Sequence, residues 1–366
     1  MSRFEVIIVG AGPAGLATAI QLGRLGIKDV LIADRHDFPR DKTCGSALSP
    51  KGIKTLHRLD LQEEVAAHAL WINGMRLVTP AGHDVQMVGK SDAAMICNRR
   101  IFDEIMLRRA QALGITFGPH MQVEHLLTRD DRVVGVQAGT EAVRARFTVV
   151  ADGAKSRFAL DRGPRRALQT IMGWWDDFPH DPGMIDMIFD PLVAPLYGWM
   201  FPETPTRVNI GICYEDPGLE KNGREIFQRF LDKYYGDRLS GAMQVGSWKG
   251  HPISYSTEIG RLTSGGRFVI GEAGRMTHPA TGEGIYQAMN SGIEAANAIA
   301  AVLSGRTEEA DAARDYEAAC RSAYSASFRG GMVWRKFIQA GGLDVTVRAA
   351  KLPFVQRRLA GTMAHM

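Results

Sequence analysis

The sequence predicts an α/β fold with a parallel sheet, interrupted by an inserted antiparallel-sheet domain and followed by a helical C-terminal segment. Three observations carry this. A β-α-β unit opens the chain: Val6 to Val9 is an apolar run ending at glycine, Pro13 to Leu25 has helical periodicity, and Val30 to Ala33 is a second apolar run. Residues 168 to 253 instead show strand patterns, "LYGWMF" and "RVNIGI" among them, with aromatic enrichment. The chain then returns to strand-helix rhythm, with "RFVIGEAG" as a strand, Gly284 to Leu303 as a long helix and Thr307 to Ser327 as another.

The remaining elements fall between these landmarks. A polar loop, "RHDFPRDKTCGSAL", follows the second strand, after which Ser49 can cap a helix and Pro50 occupy its first turn. Arg99 to Leu113 reads as an amphipathic helix, "RVVGVQA" and "RARFTVVADG" as strands, and Arg224 to Tyr235 as a helix. The tail from Val333 to Met366 is basic and amphipathic, which fits a helical pair packed on the body or a peripheral membrane contact.

Composition sets outer bounds. With 366 residues, 45% apolar and 23% charged, the chain suits a soluble globular protein of one large or two modest domains. A net charge of +4 reads as a mild, scattered excess, which argues against nucleic acid. Cys44, Cys97, Cys213 and Cys320 form no CxxC pair, so no metal centre is expected and reduced thiols in the cytoplasm fit best. The apolar N-terminus is broken by glycines and a proline, and reads as strand plus helix and not as a signal or a membrane span.

"VGAGPAG" places Gly10, Gly12 and Gly15 in the GxGxxG spacing, with Pro13 and Ala14 between them, directly after a strand and opening a helix. Gly10 allows a tight turn, Gly12 lets a pyrophosphate approach the backbone, Gly15 permits close packing, and the helix N-terminus favours negative charge. Asp34, at the end of the second strand and followed by Arg35, suits the ribose of an adenosine.

Two later motifs, Asp152-Gly153 and Gly271-Glu272, join this fingerprint in the order seen in flavoproteins built like aromatic hydroxylases, which the chain resembles. The resemblance makes the cofactor FAD. It implies FAD contacts at Asp152 and Gly153, at Arg99 near the pyrophosphate, and in the turn Pro279, Gly282, Glu283, Gly284 and Ile285 beside the flavin ring. Where the family carries Gly-Asp this chain has Gly271-Glu272, a carboxylate one methylene longer, so its ribityl contact must shift or be lost.

Within that superfamily the chain looks most like the geranylgeranyl reductases, on "RDKTCGSALSP", "YGWMFP" and "PATGEGIYQAMNSG". The resemblance implies a Rossmann-like FAD-binding domain (1–70, 95–165 and 255–305), an antiparallel-sheet substrate domain (71–94 and 166–254) and a C-terminal helical segment (306–366). It places Cys44 and Gly45 over the flavin, where a thiol could donate a proton; the alternative is an inert small hydrophobe. Tyr197, Trp199 and Phe201 alternate and so share one face of a strand, as the wall of an apolar substrate cavity or as a core stripe. His278 is a local acid or a histidine satisfied within its turn.

The expected reaction is reduction of a carbon–carbon double bond in a hydrophobic, prenyl-like substrate, with NADPH, NADH or ferredoxin as electron donor. The alternatives are an FAD-dependent monooxygenase acting on an aromatic substrate, a flavin halogenase, whose Trp-x-Trp-x-Ile-Pro strand reads Tyr197-Gly198-Trp199-Met200-Phe201-Pro202 here, and a flavin-bearing binding protein without turnover.

Overall fold

The computed structural model describes residues 3–89, 93–160 and 166–350. β1 (Arg3–Val9) leads through α1 (Pro13–Arg24) to β2 (Val30–Ala33), which pairs with β1 in parallel from Val6↔Val30 to Val9↔Ala33. Every residue of β2 is buried, as a strand covered on both faces requires. After the polar loop come β3 (Ala47–Leu48), α2 (Pro50–Arg58) and α3 (Gln62–Ala66); Ser49 caps α2 by accepting from Gly52 N at 3.2 Å. Then follow β4 (Leu70–Ile72), β5 (Gly74–Val78), β6 (Asp84–Val88), β7 (Ala94–Ile96) and α4 (Arg99–Ala112), capped by Asn98.

The first sheet continues with β8 (Thr116–Gly118), β9 (Val123–Arg129), β10 (Arg132–Ala138) and β11 (Glu141–Val150). Next come β12 (Arg166–Asp176), β13 (Met184–Ile188), β14 (Gly198–Pro202), β15 (Val208–Glu215), α5 (Gly223–Leu239) and β16 (Met243–Tyr255). The chain returns with β17 (Thr263–Ser264) and β18 (Arg267–Val269), and ends in α6 (Ile285–Leu303), α7 (Glu309–Gln339) and α8 (Gly342–Ala350).

Three sheets result. The first has the order β17-β18-β11-β1-β2-β8, with the β9–β10 hairpin attached to β11; β18, β11, β1, β2 and β8 are mutually parallel. The second has the order β16-β12-β15-β14-β13-β5-β6 and is antiparallel except where β13 meets β5. A small third sheet, β3-β7-β4, lies between. One core cluster joins α1, α6 and α7 to the first sheet, and a separate one packs α5 on the second.

Two sequence expectations change. The strand read in "RFVIGEAG" ends at Val269, because Gly271 has φ +56° and Gly271–Gly274 turns as a 3-10 helix. The helix read as Thr307 to Ser327 runs on to Gln339, which places "VWRKFIQ" inside α7; the last part of the tail, residues 351–366, lies outside the described residues. No helix among the described residues is long and apolar enough to cross a membrane.

Candidate active site

The first turn shows three glycines in three different environments. Gly10 has φ +106°, and a Cβ there would lie 2.6 Å from Ala151 O. At Gly15 a Cβ would lie 2.0 Å from Gly10 O, so only glycine lets α1 start so close to β1. Around Gly12 a Cβ would meet nothing within 4 Å. Asp34 is buried and accepts from Ala11 N at 2.7 Å and His36 N at 2.9 Å, which fixes the turn; Arg35 beside it is exposed.

The late motif meets this turn in space. A Cβ on Gly271 would lie 2.9 Å from that of Ala14, and one on Gly292 would lie 2.4 Å from Ala14 O, so glycines let α1, the Gly271 turn and α6 converge. Gly271 N donates to Ser291 Oγ at 2.9 Å. The Pro279–Gly284 turn is closed by Gly282 N to His278 O (3.0 Å) and His278 N to Glu283 O (2.8 Å). His278 Nδ1 accepts from Thr281 N at 3.2 Å within its own turn, and the ring is also hydrogen-bonded to the backbone of Ser327 in α7.

Several features leave room for a bound anion and its polar attachments. Among the described residues, α1 and α6 are the two helices with neither a side-chain cap nor an acid in the first turn; Gly12 and Gly284 stand at their N-caps, with Ile285 first in α6. Their leading N–H groups and helix dipoles favour negative charge. Asp152 Oδ1 and Glu283 Oε1 are buried without a partner, and Gly153, at φ +80°, has nothing within 4 Å of a Cβ. Burial also pushes the Asp152 carboxyl above its ordinary range. These residues fit FAD: Gly10 to Gly15 would hold the pyrophosphate and α6 the flavin ring's pyrimidine edge, while Asp152 and Glu283 keep free acceptors.

A polar seam runs behind these turns. Arg99, 6% exposed, binds Asp103 through two hydrogen bonds of 2.8 and 2.7 Å, and its guanidinium also sits against Cys44. Asp103 thus engages two of the Arg99 guanidinium's donors, Nε and Nη2. Arg40, which the sequence reading missed, bridges Asp103 (3.3 Å) and Ala11 O (3.1 Å), so it reaches the first turn directly. Lys42 Nζ lies 2.9 Å from His251 Nε2. His251 Nδ1 lies 2.7 Å from Pro252 O, so Nδ1 carries the proton and Nε2 accepts from Lys42. Burial and the Lys42 charge push His251 down to about 4. Glu272 accepts from Ser254 N at 2.9 Å; burial raises its pKa.

Tyr197, Trp199 and Phe201 line one side of β14, with ring centroids 6.3 and 6.0 Å apart in sequence order. Gly198 and Met200 face the other way, into the core beneath α5, where a Cβ on Gly198 would lie 2.1 Å from the Phe230 ring. The aromatic side faces the cofactor turns. A Cβ on Gly45 would lie 3.1 Å from the Phe201 ring, and the Tyr197 hydroxyl donates to Thr281 O. Trp199 is 7% exposed and its Nε1–H donates to Asn209 at 2.7 Å, so it offers the site an apolar face and no donor. The stripe thus spans from the Cys44–Gly45 loop to the Pro279–Gly284 turn, with Trp199 and Phe201 in a buried cluster that includes Leu168, Met172 and Tyr255. Cys44 is half-buried and its Sγ accepts from Ser46 N at 3.4 Å.

Comparison with known proteins agrees with this geometry. The model of the FAD binding domain family matches residues 3–185, and the chain belongs to that family: it is a flavoprotein, an FAD-dependent oxidoreductase. More particularly, it is 30% identical to a menaquinone reductase of Mycobacterium tuberculosis, over 81% of this chain and 76% of that one. A digeranylgeranylglycerophospholipid reductase of Methanocella arvoryzae is 27% identical over 89% of this chain and 85% of its own. The crystal structure of a geranylgeranyl bacteriochlorophyll reductase-like protein from Thermoplasma acidophilum shares the fold, with a TM-score of 0.83, 20% identity and coverage of 92% and 88%. The resemblance to the geranylgeranyl reductases drawn from three motifs is borne out. Flavin-dependent halogenases and a probable FAD-dependent monooxygenase also share the fold, at no more than 23% identity.

Proposed function

We propose that the protein reduces carbon–carbon double bonds of a prenyl-like hydrophobic substrate, with electrons from NADPH, NADH or ferredoxin, in the cytoplasm. The observation that carries this is the buried aromatic wall of Tyr197, Trp199 and Phe201 between the loop and the turn that flank the cofactor. FAD, when bound, supplies the hydride for one alkene carbon. The chain's own part is to hold the alkene on an apolar surface, exclude water and deliver a proton to the neighbouring carbon.

We assign the proton to the half-buried Cys44 thiol, adjacent to Gly45 and to the wall. Tyr197 is held neutral, since burial raises its pKa and its hydroxyl is engaged with Thr281 O, so its role is to fix the turn and present its ring. The two relatives named for geranylgeranyl substrates support the prenyl class.

The test is to reduce the FAD-loaded protein anaerobically with NADPH or dithionite and follow flavin reoxidation by polyprenyl and aromatic compounds. Reoxidation by a polyprenyl compound without oxygen, with loss of a double bond from the product, is the expected result. Reoxidation only with oxygen, with an oxygen atom in the product, would make the protein a monooxygenase and overturn the reading.

A further inference from the structure

The outer side of α7 carries an apolar stripe that the other described residues leave exposed. Ala326, Gly330, Val333, Trp334, Phe337 and Ala340 recur at helical spacing on one side, and all six are exposed. Val333 is 68%, Trp334 38% and Phe337 39% exposed, and the Trp334 and Phe337 rings stack with centroids 5.4 Å apart. Tyr324, Phe328, Gly331, Arg335 and Ile338 form the opposite, buried side. The helix is therefore apolar along two sides, of which the described residues cover one.

The sequence is basic toward its C-terminal end. From Ala318 to Met366 the chain has eight of its 44 lysines and arginines and one of its 40 acids, Asp344, which accepts from Ala81 N at 3.0 Å. That stretch carries +7 and the 317 residues before it −3; of its cations, Lys351, Arg357 and Arg358 lie outside the described residues, Arg335 is buried against Glu215 and Arg321 pairs with Glu317. Arg329 and Lys336, both exposed, flank the apolar stripe on one edge.

We propose that this side of α7 docks on an anionic lipid bilayer, with Val333, Trp334 and Phe337 at headgroup depth and Arg329 and Lys336 on lipid phosphates. Aromatic rings settle in the interfacial layer, and each cation near an anionic surface tightens binding by about fivefold. An acidic protein would meet the same charges. The inner side of the helix favours lipid: Arg335 Nη1 donates to Pro279 O at 3.3 Å, Gly331 packs on the His278 ring, and Ile338 joins a cluster with Phe189 and Tyr197. A greasy molecule leaving a bilayer at α7 is one helix thickness from the aromatic wall. The choice of lipid over protein rests on the prenyl-like substrate proposed above.

The experiment is co-sedimentation of the full-length, FAD-loaded protein, without substrate, with phosphatidylcholine vesicles and with vesicles containing about one third phosphatidylglycerol. With two flanking cations, binding to the anionic vesicles should be at least about tenfold tighter and should weaken as salt rises. The double variant Trp334→Ser/Phe337→Ser should lose at least about tenfold in vesicle binding while keeping FAD content, melting temperature and flavin reoxidation by a detergent-dispersed substrate. Arg329→Glu/Lys336→Glu, which leaves the stripe intact, gives the same readout if the first variant fails to fold. Equal affinity for both vesicle types, or vesicle binding unchanged in either folded variant, overturns the proposal. So does a dimer that the first variant dissolves, since the stripe would then join two copies of the chain. Vesicle binding that persists when no prenyl compound is reduced leaves the docking intact and overturns only the substrate reading.

Discussion

Gly12→Ala separates cofactor binding from folding. A Cβ at Gly12 meets no atom of the chain within 4 Å, and its φ of −85° with ψ of −179° suits any residue. Replacing glycine restricts the unfolded chain and stabilises by about 0.4–1 kcal/mol. Alanine is a poorer N-cap than glycine, which costs roughly 0.5–1 kcal/mol and offsets the gain. The apoprotein's melting temperature should therefore move by no more than about 2–4 °C. The added methyl group projects into the space beside the uncapped N-terminus of α1, where it would push a phosphate off the leading N–H groups. Loss of one charge-assisted hydrogen bond, about 1.5–3 kcal/mol, raises the Kd for FAD roughly 10- to 150-fold. Titration of apoprotein with FAD by fluorescence quenching, beside thermal unfolding of the same sample, reads both quantities. Gly15→Ala is the contrast: its Cβ would lie 2.0 Å from Gly10 O, so the apoprotein itself should lose stability. Wild-type FAD affinity in Gly12→Ala would refute placement of the dinucleotide over this turn.

Arg99→Met should destabilise the protein by about 3–5 kcal/mol, because it strips the fully buried Asp103 of its bidentate partner, and Arg99→Met/Asp103→Leu should recover most of that in chemical denaturation. His251 is held near 4 in the fold against 6.5 for an ordinary histidine, so as pH falls the unfolded chain takes up the proton first. Its contribution is whole above about pH 6.5 and is lost toward pH 4, by at most about 1.4 kcal/mol per pH unit; urea unfolding at several pH values should show a shallower acid loss in His251→Gln, and equal slopes would refute the assignment. Trp199→Phe should retain FAD but lose about tenfold or more in kcat/KM for a long prenyl substrate, while loss of FAD would show that β14 is core and not a substrate wall.

Features set by local chemistry were legible in the sequence. Gly10, Gly12 and Gly15 announce a turn whose three roles follow from spacing alone, and the alternation of Tyr197, Trp199 and Phe201 gives their shared face. What was not legible depends on partners distant in the chain. Nothing near Arg40 points to Asp103, nothing near Asn209 to Trp199 and Gly45, and nothing near Arg335 to Pro279. The Gly330-Gly331 pair argues locally against continuing α7, yet the helix passes through it. A Cβ on Gly331 would lie 2.7 Å from the His278 ring, so tertiary packing needs a glycine within the helix, at a helical cost of about 1 kcal/mol.

Glu272 shows how one such distant contact gives the late turn a second task. Its carboxylate accepts from Ser254 N, in the second sheet, and is also hydrogen-bonded by the backbone of Ala154, just after Asp152-Gly153; Ser254 Oγ donates to Ala154 O at 3.0 Å. Three segments that are remote in sequence are pinned together by one side chain. An aspartate would fall short of Ser254 by one carbon–carbon bond, about 1.5 Å, more than a hydrogen bond tolerates. The longer acid thus ties the first sheet's late turn to the sheet that carries the aromatic stripe. Lys42 and His251 cross the same seam, one from each side, at 2.9 Å. With Lys42 and Arg99 both lowering the Glu272 pKa against its burial, the carboxylate sits among the cations that hold the cofactor loop and keeps the two halves of the site in register.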